Sequence, residues 1–129
     1  MRVLIVDDSA EYRKFLRRIL AQENDLILEG EAADGEAGIL LAEQLKPDVI
    51  LMDVHLPGID GLNATRRIKE LLSCAAVIVV SNDEVYRDTA EGFGADAFLS
   101  KCSSISEMIA VIRRVQRRKA GCSCTSSNM

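Results

Sequence analysis

The chain has 129 residues, 48% hydrophobic and 28% charged, with a formal net charge of −4. That length suits one domain with a full core, and the acidity argues against nucleic acid as its direct ligand, because phosphate contacts favour basic surfaces. Its longest apolar runs are of strand length, far short of a membrane span, and acidic residues follow the N-terminus almost at once, which does not fit a signal peptide. A cytoplasmic protein is expected, with no membrane partner and with its four cysteines, Cys74, Cys102, Cys122 and Cys124, reduced.

Val3–Val6 is the first candidate strand, a short apolar run. Asp7-Asp8-Ser9 supplies capping chemistry for a helix in which Phe15, Leu16, Ile19 and Leu20 share the apolar face. Leu26–Leu28 reads as a second strand and Asp34-Gly35 as a turn. A helix over Glu36–Leu45 is stopped by Pro47. Val49–Met52 is the third strand. The helix Leu62–Leu72 follows, with Ile68, Leu71 and Leu72 as core candidates. Ala76–Val80 is the fourth strand. Glu84–Glu91 is a helix ended by Gly92 and Gly94. Ala97–Leu99 is a short fifth strand. The last helix, Ile105–Arg118, turns Ile105, Met108, Ile109, Ile112 and Val115 to one face. Residues 119–129 read as a flexible tail. Within it Cys122-Ser-Cys124 lacks a second ligand pair at zinc spacing and reads as inert.

Five strands without polar alternation, interleaved with amphipathic helices, imply a parallel sheet covered on both faces. Right-handed crossovers make it doubly wound, an α/β fold. In such a sheet all strands end on one edge, where ligands bind. Asp7 and Asp8 follow the first strand, Asp53 the third, Ser81 the fourth and Lys101 the fifth. The stretch DVILMDVHLPGIDG (48–61) poses the question most sharply, because it ends a buried run in a bare carboxylate, which is costly unless compensated. If the first and third strands are neighbours, three carboxylates converge, and they stay ionised together only beside a cation. Oxygen ligands alone favour a hard ion such as Mg²⁺. One carboxylate would then be free to attack, with Ser81 and Lys101 able to hold phosphoryl oxygens, and Pro57 and Gly58 would shape the loop beside it. Each residue has a plainer reading: Asp7-Asp8-Ser9 and Ser81-Asn82-Asp83 as helix caps, Asp53 as a turn former, Lys101 as a surface charge. Their shared edge favours a site.

The motifs LIVDDS (4–9), ADGEA (33–37), PDVILMDVHLPGIDGL (47–62), VIVVSND (77–83) and GADAFLSK (94–101) resemble the receiver domain of bacterial two-component response regulators, over residues 2–118. The resemblance implies a (βα)5 flavodoxin-like fold with strand order 2-1-3-4-5. It implies Asp53 as phospho-acceptor, with Asp8, Asp7, Asp53 and the His55 main-chain carbonyl as Mg²⁺ ligands. Ser81 and Lys101 would bind the phosphoryl group, and Phe98 would be the aromatic that changes rotamer on activation. The donor would be a phosphohistidine on a sensor histidine kinase or phosphotransfer protein, or a small phosphodonor. The face of the fourth helix, fifth strand and fifth helix would pass the signal to a downstream protein or the chain's own output domain, or into a homodimer.

Cys102 stands after Lys101, where the family often has Pro. FLSKCSSISEMIAVIRRV looks like the NarL-like subgroup, which carries a helix-turn-helix DNA-binding domain after a linker. The chain is then either a stand-alone receiver or one separated from its output domain. Asn82 is larger than the family's usual Ala or Gly, and His55 and Asp83 match positions that face the attacking water. Two other readings are weaker. A pseudo-receiver working without phosphorylation would not need the intact acidic set. The other is a turnover enzyme on the same topology, flavin-dependent or phosphatase-like; a flavin site would want a Ser/Thr/Gly-rich phosphate loop after the first strand and aromatics to stack the ring.

Overall fold

The computed structural model describes residues 1–119, with side chains through residue 116. The elements are β1 (Arg2–Val6), α1 (Ala10–Ala21), β2 (Ile27–Ala32), α2 (Gly35–Leu45), β3 (Val49–Asp53), α3 (Gly61–Leu71), β4 (Ala76–Ser81), α4 (Tyr86–Gly92), β5 (Ala97–Ser100) and α5 (Ile105–Lys119). The five strands form one parallel sheet in the order β2-β1-β3-β4-β5, as the sequence resemblance implies.

The alternation of side chains along each strand divides the core in two. Val3, Ile5, Leu51 and Ile78 face α1 and α5, packing with Leu16, Leu20 and Ile112. Leu4, Val6, Ile50 and Met52 face the other side, with Ala42, Ile68, Ala90 and Phe98 from α2, α3, α4 and β5. Both faces of the central strands are therefore apolar, which is why these segments read as unbroken hydrophobic runs. Arg113 of α5 is tied to Glu23 and Asp25 in the α1–β2 loop at 2.6 and 2.8 Å.

Several boundaries and burials depart from the sequence expectation. β2 starts at Ile27 and runs to Ala32 rather than covering Leu26–Leu28. It is an edge strand, so Glu29 and Glu31 can sit in it with their carboxylates paired to Arg2 and Arg13. Phe15, Leu71 and Ile105, expected on buried faces, are exposed, because each lies at the margin of its helix's apolar stripe. α4 begins at Tyr86, and Ser81-Asn82-Asp83 does not cap it: Asp83 instead accepts a bond from the Val85 N–H upstream of the helix. Cys102 is free and exposed, as expected. Cys74 is disulfide-bonded. This corrects the reading of a reduced thiol, which was drawn from compartment alone and carries no information on which sulfurs are neighbours. The tail beyond residue 119, with Cys122 and Cys124, also lies outside the described residues. Among the described residues, no helix is long and apolar enough to cross a membrane.

Candidate functional site

The carboxylates meet because β1 and β3 are neighbours in register. Val6 pairs with Met52, so Asp7 follows opposite Asp53 at the C-terminal edge. Asp7, Asp8 and Asp53 each bring a carboxylate oxygen within 4.8 Å of the others. Asp7 and Asp53 are buried and Asp8 is exposed. Asp7 is fixed from several sides. Its Oδ1 accepts the Ser9 N–H at 2.8 Å, its N–H donates to the Ala32 carbonyl, and its carbonyl accepts from the Arg13 guanidinium at 2.7 Å. Ser9 is the N-cap of α1, accepting from the Tyr12 N–H. The first loop thus does both things the sequence offered: Ser9 caps, while Asp7 and Asp8 face the cluster.

Lys101 closes the cluster. Its ammonium lies 2.9 Å from Asp7 Oδ2 and 3.5 Å from Asp53 Oδ1. Its backbone N–H donates to the Ser81 carbonyl at 3.0 Å, continuing the β4–β5 pairing one step past Ser81 and Ser100. Three carboxylates face one ammonium, and the excess shows in Asp53. Burial first, and then the Asp7 charge, push its carboxyl up from 3.8 to about 6, with Lys101 pulling the other way. Burial and a neighbouring like charge both disfavour the ionised carboxylate, and a cation beside it would favour it. Hard oxygen donors in excess of their counter-charge suit Mg²⁺, so the residues present fit that ion.

Ser81 is buried on β4 beside the Asp53 strand end. Its hydroxyl accepts from the Asp83 N–H at 3.1 Å, so it is engaged in its own turn rather than with Asp53. Phe98 is not at the cluster. It is buried on the α4 side of the sheet, with the Arg87 guanidinium 4.8 Å above its ring. His55 is exposed two residues beyond Asp53, its ring packed edge-on against Tyr86 at 5.4 Å. Gly58 takes the left-handed conformation, φ 76°, in the loop after β3. That bears out its expected shaping role.

Two residues at the site escaped the sequence reading. Gly61 opens α3 against the backbone of Asp53, and a Cβ there would lie 1.7 Å from the Asp53 carbonyl oxygen. Its N–H also donates to the Val54 carbonyl at 2.8 Å. The glycine was visible, but the approach that requires it is made through space. Tyr12 stands one turn into α1 with its ring 4.4 Å from the Lys101 ammonium. An aromatic one turn from an acidic pair was its only signal.

Comparison with known proteins decides the family. The family described as "Response regulator receiver domain" matches residues 3–113. This chain belongs to the response regulator receiver family. The receiver is 38% identical over 117 residues to the response regulator GacA of Pseudomonas aeruginosa, covering 89% of this chain and 55% of that protein. It is 38% identical over 101 residues to the nitrate/nitrite response regulator NarL of Escherichia coli, covering 77% and 47%. The chain thus spans about half the length of these relatives. Among solved structures it is similar to the response regulator domain of Thermotoga maritima CheB, with a TM-score of 0.83, 33% identity and 91% and 96% of the two chains covered. It is also similar to the receiver domain of the NarL regulator of Mycobacterium tuberculosis, with a TM-score of 0.84, 28% identity and coverage of 90% and 95%. The fold and the NarL-like character implied by the sequence motifs are both borne out.

Proposed function

We propose that this receiver is a phospho-accepting switch whose acceptor is Asp53. The observation that carries the reading is the Asp7–Asp8–Asp53 cluster closed by Lys101. In the transfer, an Asp53 carboxylate oxygen attacks phosphorus, the P–N bond of a partner's phosphohistidine breaks, and the imidazole leaves with the bonding pair. Bound Mg²⁺ would neutralise charge on the phosphoryl oxygens, held by Asp8, Asp7, Asp53 and the His55 main-chain carbonyl. Lys101 supplies a fixed ammonium to another phosphoryl oxygen, and Ser81 a hydroxyl once it leaves its own turn. The chain catalyses chemistry only on itself, and its product is a changed surface.

That change follows from the added charge. Drawing Ser81 toward Asp53 releases the Asp83 turn ahead of α4. Phe98, under Arg87, then repacks, and the α4-β5-α5 face shifts its population of shapes. The partners of that reading are a sensor histidine kinase or phosphotransfer protein upstream, and a downstream protein, an output domain or a second copy beyond it.

Intact-protein mass after incubation with acetyl phosphate tests this, with and without Mg²⁺, for the wild type and Asp53→Asn. A Mg²⁺-dependent gain of one phosphoryl group that Asp53→Asn abolishes is expected. A gain that survives in Asp53→Asn would move the acceptor elsewhere. No gain from either acetyl phosphate or a phosphohistidine donor would overturn the reading.

A further inference from the structure

Lys101 is held by more than its two carboxylates. The Tyr12 ring lies 4.4 Å from its Nζ, within the range of a cation–π contact. The chain fixes that ring from both directions. Asp7 Oδ1 takes the Ser9 N–H and Ser9 Oγ takes the Tyr12 N–H, so one helix cap sets the Asp7 carboxylate and the Tyr12 ring together. Lys101 then joins the two ends through Asp7 Oδ2, closing a circuit of Asp7, Ser9, Tyr12 and Lys101. Phe15, one turn on, backs the Tyr12 ring at 5.6 Å.

The Tyr12 hydroxyl is buried and has no hydrogen-bond partner among the described residues, and its ring lines a small apolar cavity with Leu16, Leu51 and Leu99. An unpaired buried hydroxyl is a cost, so the hydroxyl does not explain the residue; the face of the ring does. Burial, followed by the Asp7 and Asp53 charges, holds that hydroxyl well above the usual tyrosine range, and the ring stays neutral. A neutral π-face can hold an ammonium without adding a fourth negative charge to a cluster that already has three.

We propose that Tyr12 is a positioning residue for Lys101, its ring the platform that keeps the ammonium between Asp7 and Asp53 when a phosphoryl group arrives. The inference rests on Asp53 being the phospho-acceptor, and it goes beyond that reading in assigning a role to a residue outside the acidic set. A metal or phosphoryl group entering the cluster would compete with Lys101 for the carboxylates, but not for the face of the ring.

Two readouts test it on the full chain. The first is the proton shift of the Lys101 ε-methylene in lysine-labelled protein, assigned with Lys101→Arg. A ring-current shift is expected in the wild type, kept in Tyr12→Phe and lost in Tyr12→Leu. This readout needs no phosphorylation, so it decides the contact even if Asp53 proves not to accept a phosphoryl group. The second is the rate of phosphorylation by acetyl phosphate. Tyr12→Phe should match the wild type, and Tyr12→Leu should be slower by about three- to tenfold, the range of one partly buried cation–π contact. Leu16→Ala, which opens the same cavity without touching Lys101, should keep the wild-type rate and so separates loss of packing from loss of position. An unshifted Lys101 ε-methylene in the wild type would overturn the proposal. So would a wild-type rate in folded Tyr12→Leu, or equal slowing in Leu16→Ala.

Discussion

The sheet carries a lysine–carboxylate pair at each of its two edges, and the pairs are built differently. At the N-terminal edge Lys69 donates to Asp96 Oδ2 at 2.9 Å and to the Ala75 and Ser73 carbonyls at 2.8 and 3.3 Å, while Asp96 Oδ2 also accepts the Val77 N–H. At the C-terminal edge Lys101 meets two carboxylates and an aromatic ring, with a third carboxylate nearby. Burial does not separate them, since the two lysine side chains are 17% and 16% exposed. Balance does. Lys69 meets the Asp96 carboxylate and two neutral carbonyls, and the pair holds α3 to the start of β4 and β5. Lys101 sits in a surplus of negative charge, a standing demand for a cation. A buried ion pair is evidence of function here only where its charges fail to cancel.

Breaking the balanced pair should cost most. Lys69→Met takes the ammonium from the part-buried Asp96 and is expected to destabilise the fold by about 3 kcal/mol, measured by urea unfolding. Mg²⁺ should not restore the loss. A loss below about 1 kcal/mol would make the N-terminal pair ornamental and remove the contrast.

At the other edge the sign reverses. Asp53→Asn removes a charge that the fold holds at a disadvantage, its carboxyl moved from 3.8 to about 6, and should stabilise the protein near pH 7 by about 1–3 kcal/mol after solvent screening. The folded state binds that proton more tightly than the unfolded chain. The favourable contribution is therefore complete below about pH 4 and is lost as pH rises through about 6. The stability difference between wild type and Asp53→Asn should open over that window, followed by denaturation at a series of pH values. Saturating Mg²⁺ should narrow it.

Lys101→Met should be intermediate, costing about 2 kcal/mol at neutral pH. Unlike the loss in Lys69→Met, this one should be partly recovered by Mg²⁺ or by lowering the pH to about 5, because both reduce the same charge surplus. Thermal melts in a metal titration check it. The smallest effect belongs to a pair outside both edges. Arg87→Ala removes an exposed ion pair with Glu84 and the contact over Phe98 and should cost less than about 1 kcal/mol. It should also free the Phe98 ring, read as a change in its proton shifts.

Most of this architecture was legible in the chain because its signals are local. Val49–Met52 and Ala76–Val80 are apolar without alternation, as strands covered on both faces must be, and Asp7, Asp53, Ser81 and Lys101 each follow such a run. β2 was misplaced because an edge strand can be polar, and Glu29 and Glu31 broke the run that would have marked it. Phe15 and Ile105 were set inside because periodicity gives the direction of an apolar stripe but not its width. Gly61 and Tyr12 were missed for another reason. What each one does depends on an atom far along the chain, the Asp53 carbonyl in one case and the Lys101 ammonium in the other, and no local pattern encodes that meeting.

The bond from the Lys101 N–H to the Ser81 carbonyl has a consequence for how much this edge can say. It clasps the ends of β4 and β5, so a pull on either backbone is shared by the other. On the reading of Asp53 as phospho-acceptor, a phosphoryl group that engaged Ser81 alone, or Lys101 alone, would load both strand ends through this one bond.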